Sequence, residues 1–110
     1  MARFIKGDIV VVPFPFSDLS GTKRRSAFVL ANLPGSDIIL CQATSRFKKD
    51  KFAVEISQID FASGGLPILS YVRPNRIFTA DKSIIVRKAG TLKSLVSESI
   101  ISRVVSIIEN

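Results

Sequence analysis

Apolar and polar positions along the chain fall into short blocks. Residues 8–14 form a valine-rich run that reads as a buried strand, and Pro13 and Pro15 confine its exit to an edge or a turn. Residues 17–25 then make a polar loop with Ser20-Gly21 as its tight turn. Residues 27–31 and 37–44 are apolar again and flank a turn containing Pro34-Gly35, so three strands follow one another as a meander. After a charged loop at 46–51, residues 53–56 alternate as a short strand, and Ser63-Gly64-Gly65 breaks the chain. Residues 69–72, 77–79 and 83–86 read as further short strands, parted by Pro74-Asn75 and Asp81-Lys82. Short strands with turn residues between them predict a small barrel, not alternating βαβ units. Beyond Gly90 the period lengthens. Val96, Ile100, Val104, Ile107 and Ile108, widened by Ile101 and Val105, predict a C-terminal helix, with Ser94 or Ser97 as its cap. With no repeat or linker in between, residues 1–110 read as a single domain.

Charge changes this picture more than composition does. Sixteen Lys and Arg against nine Asp and Glu give a net charge of +7, which points to an acidic partner. Hydrophobic residues make up 46% of the chain, enough for one core and against intrinsic disorder. No apolar run is long enough to span a membrane, and the helix carries few cations for a membrane surface, so a cytoplasmic protein is expected. The single cysteine, Cys41, lies inside an apolar run and agrees with a reducing compartment.

Four segments carry a resemblance. Gly7-Asp8-Ile9-Val10 leads to Val12-Pro13-Phe14-Pro15-Phe16, then a polar turn, then Lys23-Arg24-Arg25 before an apolar strand. The third strand ends in Ala43-Thr44-Ser45. Gly65-Leu66-Pro67 runs on through Ser70-Tyr71-Val72-Arg73, and Thr79-Ala80-Asp81-Lys82-Ser83 leads to Gly90-Thr91-Leu92 before the helix. In this order they resemble the PemK/MazF family of toxin–antitoxin endoribonucleases over nearly the whole chain. The fold this implies is mainly β, an SH3-like small barrel of PemK/MazF/CcdB toxin type with a C-terminal α-helix. Implied partners are single-stranded RNA, an acidic antitoxin protein and a second copy in a homodimer. One departure is Ser26, where relatives read proline, which would loosen the backbone of the arginine before it.

The chain has no histidine, which excludes a two-imidazole route to phosphodiester cleavage. One cysteine and no close carboxylate cluster leave no convincing site for a catalytic metal, and no cofactor is expected. RNA supplies its own nucleophile, so the chemistry falls to guanidinium, hydroxyl and backbone groups that orient the 2′-OH and stabilise charge. The expected products are a 2′,3′-cyclic phosphate and a 5′-OH.

By the resemblance, Arg25 matches the catalytic arginine and Thr44 the hydroxyl donor, although a solvated arginine and a strand-forming threonine are the plain alternatives. Ser20 corresponds to an RNA-contacting serine or is simply a turn residue. Lys23, Arg24, Arg46, Lys48, Lys49 and Lys51 are expected in two loops beside the site as a track for the RNA backbone, with Ser45 as a neighbour that substitutes for Thr44. Phe47, set among cations, is the best base-stacking candidate, ahead of Phe14 and Phe16. Asp18 serves as a proton acceptor or forms an Asx turn, and Arg73 either binds RNA or pairs with Asp81. On the same scaffold, a gyrase-poisoning toxin or a non-catalytic nucleic-acid-binding barrel is the alternative.

Overall fold

The computed structural model describes residues 3–14, 23–46 and 49–110, with backbone alone at Phe14 and Lys23. Its strands are β1 (Asp8–Phe14), β2 (Lys23–Asn32), β3 (Asp37–Thr44), β4 (Val54–Ile56), β5 (Phe61–Gly64), β6 (Ser70–Asp81) and β7 (Arg87–Leu92). They make one antiparallel sheet in the order β4-β6-β3-β2-β1-β7-β5, and helix α1 (Ser94–Glu109) follows. The expected meander is its centre, β1 to β3. Overall extents of 32 × 31 × 30 Å mean that the sheet is curled, since a flat sheet of this width would be one thin layer. The protein is mainly β, a curled half-barrel with one C-terminal helix.

Curling buries both sheet faces. On one face Ile9, Phe28, Cys41, Ala43 and Val72 pack with Ile100 and Val104 of α1. On the other, Val10, Val12, Ala27, Val29, Ile38 and Leu40 meet Phe4. A strand covered on both sides needs apolar residues at successive positions, which is why β1 reads as a continuous run. Burial pushes the Cys41 thiol up to about 11. At pH 8 roughly one thiol in a thousand is then ionised, and the native protein should resist an aromatic disulfide reagent that labels the unfolded chain promptly. Prompt labelling of the native protein would contradict this burial.

Three strand expectations change. Residues 69–72 and 77–79 belong to one strand, β6, in which Cys41 pairs with Ile77 and Ala43 with Val72. The extra β6 residues bulge around buried Pro74, where no ladder N–H is required of it. Residues 83–86 are not a strand. The Asp81 side chain accepts from Ser83 N–H at 2.9 Å and caps a 3₁₀ turn at Lys82–Ile84, so β7 starts at Arg87. The break expected at Ser63-Gly64-Gly65 is instead the end of β5, where Gly64 pairs with Gly90. Gly64 has φ +68°, and a Cβ there would run into the Ala89 carbonyl oxygen. A Cβ on Gly90 would lie 2.5 Å from the Ser63 carbonyl oxygen, so glycine on both strands permits this approach.

The helix forms where the period predicts it, but neither serine caps it. Lys93 is the N-cap, without a side-chain bond, and its own N–H donates to the Asp60 carbonyl at 2.8 Å. Ser97 is buried, its Oγ 3.1 Å from where a Cβ on Gly7 would stand. Val105 and Ile108, expected on the core stripe, are exposed, because α1 covers the sheet with its Ile100 and Val104 side. Among the described residues no helix is long and apolar enough to cross a membrane.

Candidate active site

Strand β2 begins earlier than the sequence suggests. Lys23, Arg24 and Arg25, expected in a loop, are ladder residues that face Phe14, Pro13 and Val12 of β1. Strand β7 pairs with β1 only as far as Val11, so Pro13 stands where β1 has no second neighbour to satisfy. The pairing with Val12 also restrains the Arg25 backbone, which needs no proline at Ser26 for that purpose.

On its other side β2 pairs with β3, Ala27 opposite Gln42 and Phe28 opposite Cys41. Carried two residues further, this register sets Arg25 opposite Thr44. The two strand ends open into a cleft of about 190 Å³ lined by Arg24, Arg25, Ser26, Ala43, Thr44 and Ser45 together with Leu66, Pro67, Ile68 and Ser70.

Thr44 is only 7% exposed, and its Oγ1 accepts from Arg46 N–H at 3.1 Å. That bond uses a lone pair and leaves the hydroxyl proton to donate. No ion pair joins Arg24, Arg25 or Arg46 to another described residue. A cleft with an always-protonated, forked guanidinium and several hydroxyls suits a tetrahedral oxyanion.

Sequence reasoning thus named four residues that meet here: Arg24, Arg25, Thr44 and Ser45. Arg46 is exposed just beyond, tied to Thr44 through its backbone, and does not line the cleft. Ser20, Phe47 and Lys48 lie outside the described residues, as do Asp18 and Phe16, and of Lys23 only the backbone is described. Ser26, Ser70 and residues 66–68 were not anticipated as site residues. For Ser70 and residues 66–68 the signal was the Gly65-Leu66-Pro67 to Ser70 motif, visible in the chain but without an assigned role, and for Ser26 it was the departure from proline.

Arg73 pairs with Asp50, not with Asp81. Its Nε donates to Asp50 Oδ2 at 3.0 Å, and Asp50 Oδ1 accepts from Phe52 N–H at 2.9 Å. The bridge ties the chain just after the cationic loop to β6. Lys49 and Lys51 are exposed on this segment, and the Lys51 ammonium sits 5.2 Å from the centre of the Phe52 ring.

Burial raises the Asp50 carboxyl, but the Phe52 N–H and the Arg73 guanidinium more than offset it and hold it below the usual carboxylate range. A depressed folded pKa stabilises above the unfolded value of about 4 and is lost as pH falls through the folded one. Arg73→Ala should therefore cost about 2 kcal/mol at pH 7. In urea melts the gap to wild type should narrow below about pH 4. A gap independent of pH would mean that Arg73 stabilises by packing alone.

The protein is similar to the MazE–MazF complex of Deinococcus radiodurans in its second crystal form, with a TM-score of 0.79 at 21% identity, covering 99% of this chain and 98% of that one. MazF alone from the same organism aligns over 100% of both chains, with a TM-score of 0.74 and 19% identity. An endoribonuclease in complex with its cognate antitoxin, from a mycobacterial species, gives 0.74 at 14% identity over 97% and 96%. At these identities the likeness is one of fold. No curated protein matches the sequence significantly. The family model for PemK-like, MazF-like toxins of type II toxin–antitoxin systems matches residues 5–108, through both strand ends of the cleft, and the chain therefore belongs to that family.

Proposed function

We propose that this toxin is a metal-independent endoribonuclease that cuts single-stranded RNA by attack of the 2′-OH on the adjacent phosphorus. The observation that carries the reading is the meeting of Arg25 and Thr44, distant in sequence, in one small cationic cleft. In the reaction the 2′-O–P bond forms and the P–O5′ bond breaks. The 2′-OH gives up a proton and O5′ gains one, leaving a 2′,3′-cyclic phosphate and a 5′-OH. Arg25 holds two non-bridging oxygens through its fork and stabilises the charge that builds on them, and Thr44 donates its free hydroxyl proton to the same group. Asp18 is the candidate acceptor of the 2′-OH proton.

Arg24, Ser45 and Arg46 flank the phosphate and bind the RNA backbone, with Ser20, Lys23, Phe47 and Lys48 as further contacts. An acidic antitoxin silences the enzyme by covering this cleft, where its carboxylates replace phosphates. The active toxin is a cytoplasmic homodimer.

The route is tested by an RNA oligonucleotide with a single 2′-O-methyl group at the cut nucleotide. Cleavage there should stop while other sites continue to be cut. Continued cleavage at the blocked position would mean that water, not the 2′-OH, attacks.

A further inference from the structure

The cleft has two chemically unlike walls. The strand ends supply guanidinium and hydroxyl groups, whereas residues 66–68 supply only apolar side chains. Ile68 is 61% exposed and Leu69 43%, with Pro67 exposed beside them. A continuous apolar rim next to a cationic cleft leaves area in water that a ligand would cover.

This rim is held in place at both ends. Gly65 N–H donates to the Ala89 carbonyl at 3.1 Å, and the Gln58 side-chain amide donates to the Gly64 carbonyl at 2.8 Å. At the far end the Ser70 hydroxyl donates to the Ile68 carbonyl at 2.9 Å, and Ser70 is itself buried and paired with Ile56 of β4. Ile68 is therefore exposed on a fixed loop.

A nucleotide has the same two-sidedness, an anionic phosphate and a flat base with apolar faces. The cleft volume is below the ~300 Å³ of common small-molecule pockets, so it suits the reacting end of one nucleotide and not a larger ligand. We propose that Pro67 and Ile68 form a nucleobase subsite, in which a base adjoining the phosphate at Arg25 and Thr44 lies against Ile68. The inference rests on the ribonuclease reading above.

In this role Ile68 is a positioning residue. In a stacked strand the 2′-oxygen lies beside the P–O5′ bond, and attack requires it to swing in line behind phosphorus. An apolar side chain pressed against one base, as wedges between base steps do, parts it from its neighbour and frees the sugar to reach that alignment.

The test couples the side chain to the base. Short RNA oligonucleotides carrying a mapped cut site are made intact and with an abasic nucleotide on either side of the cut bond in turn. They are cleaved by wild type, Ile68→Ala and Ile68→Leu, each checked for an unchanged melting temperature. Wild type should lose about ten-fold in kcat on one of the two abasic substrates. Ile68→Ala should lose about as much on intact RNA and nothing further on that abasic substrate, while Ile68→Leu stays near wild type. The inference is overturned if Ile68→Ala cuts intact RNA at the wild-type rate, or if the two losses multiply. Wild type that leaves intact RNA uncut overturns the ribonuclease reading itself, a separate result from either of these.

Discussion

Arg25→Ala should lower kcat for RNA cleavage by about 10²–10³-fold while leaving the melting temperature nearly unchanged. The size follows from removing a charged donor at the position where negative charge develops, in a cleft that already supplies the hydroxyls. Stability is spared because Arg25 is only partly buried and makes no ion pair with a described residue, while its ladder partner Val12 is bound through the backbone. Arg25→Lys discriminates further. It keeps the charge but not the planar fork, and should recover only part of the rate, about ten-fold below wild type. Full activity in Arg25→Lys would mean that point charge suffices, and full activity in Arg25→Ala would remove Arg25 from the reaction.

The largest effect on stability is expected at Asp8. This carboxylate is fully buried and accepts from Ile5 N–H at 2.9 Å and the Thr91 hydroxyl at 2.8 Å, with the Lys88 ammonium 3.2 Å away. It binds the segment before β1 to β7 across the sheet. Asp8→Ala leaves a part-buried N–H, a hydroxyl and the Lys88 ammonium without their acceptor and should cost about 3 kcal/mol, or about 12 °C in melting temperature. The lower end of the buried-pair range applies because the Lys88 side chain is 39% exposed and can hydrate once released. Asp8→Asn, which keeps an acceptor for Thr91 but not the charge, should recover about half of this. A loss under about 0.5 kcal/mol in Asp8→Ala would show that Lys88 and Thr91 hold β7 without it.

Both effects come from residues whose chemistry was visible at different depths in the sequence. Asp8 sits at the head of a valine-rich run and carries no local sign of its partners on β7, because Thr91 and Lys88 come from the far end of the chain. Arg25 and Thr44 were named from motifs, and the β2–β3 register explains why they meet. The apolar wall at 66–68 was legible as a motif but not as a site. Nothing local says that a turn after β5 folds back onto the ends of β2 and β3.

Where the apolar pattern was strong, the fold was legible too: β1, β3 and α1 lie where apolar runs or a helical stripe put them. Failures came where tertiary contacts override punctuation. Pro74 reads as a strand end yet sits inside β6, because a bulge spares it the ladder N–H it lacks. Gly64 reads as a break yet ends a strand, because its missing Cβ is what lets β5 approach β7. Residues 84–86 have strand-like composition, but the Asp81 side chain offers the backbone a competing bond and turns the chain first. Arg73 and Asp50 were each visible as charges, while their pairing depends on how β6 passes the loop after β3.

Metal-independent RNA cleavage through the cleft where Arg25 meets Thr44 is the activity expected of this toxin. Its most direct test is a long single-stranded RNA incubated in excess EDTA with the purified protein or its Arg25→Ala variant, followed by mapping of every new 5′ end. Discrete cuts bearing 5′-OH ends with wild type, absent at equal enzyme concentration with the variant, are the predicted result. Intact RNA with the wild-type protein, or cuts that persist undiminished in the variant, would contradict it.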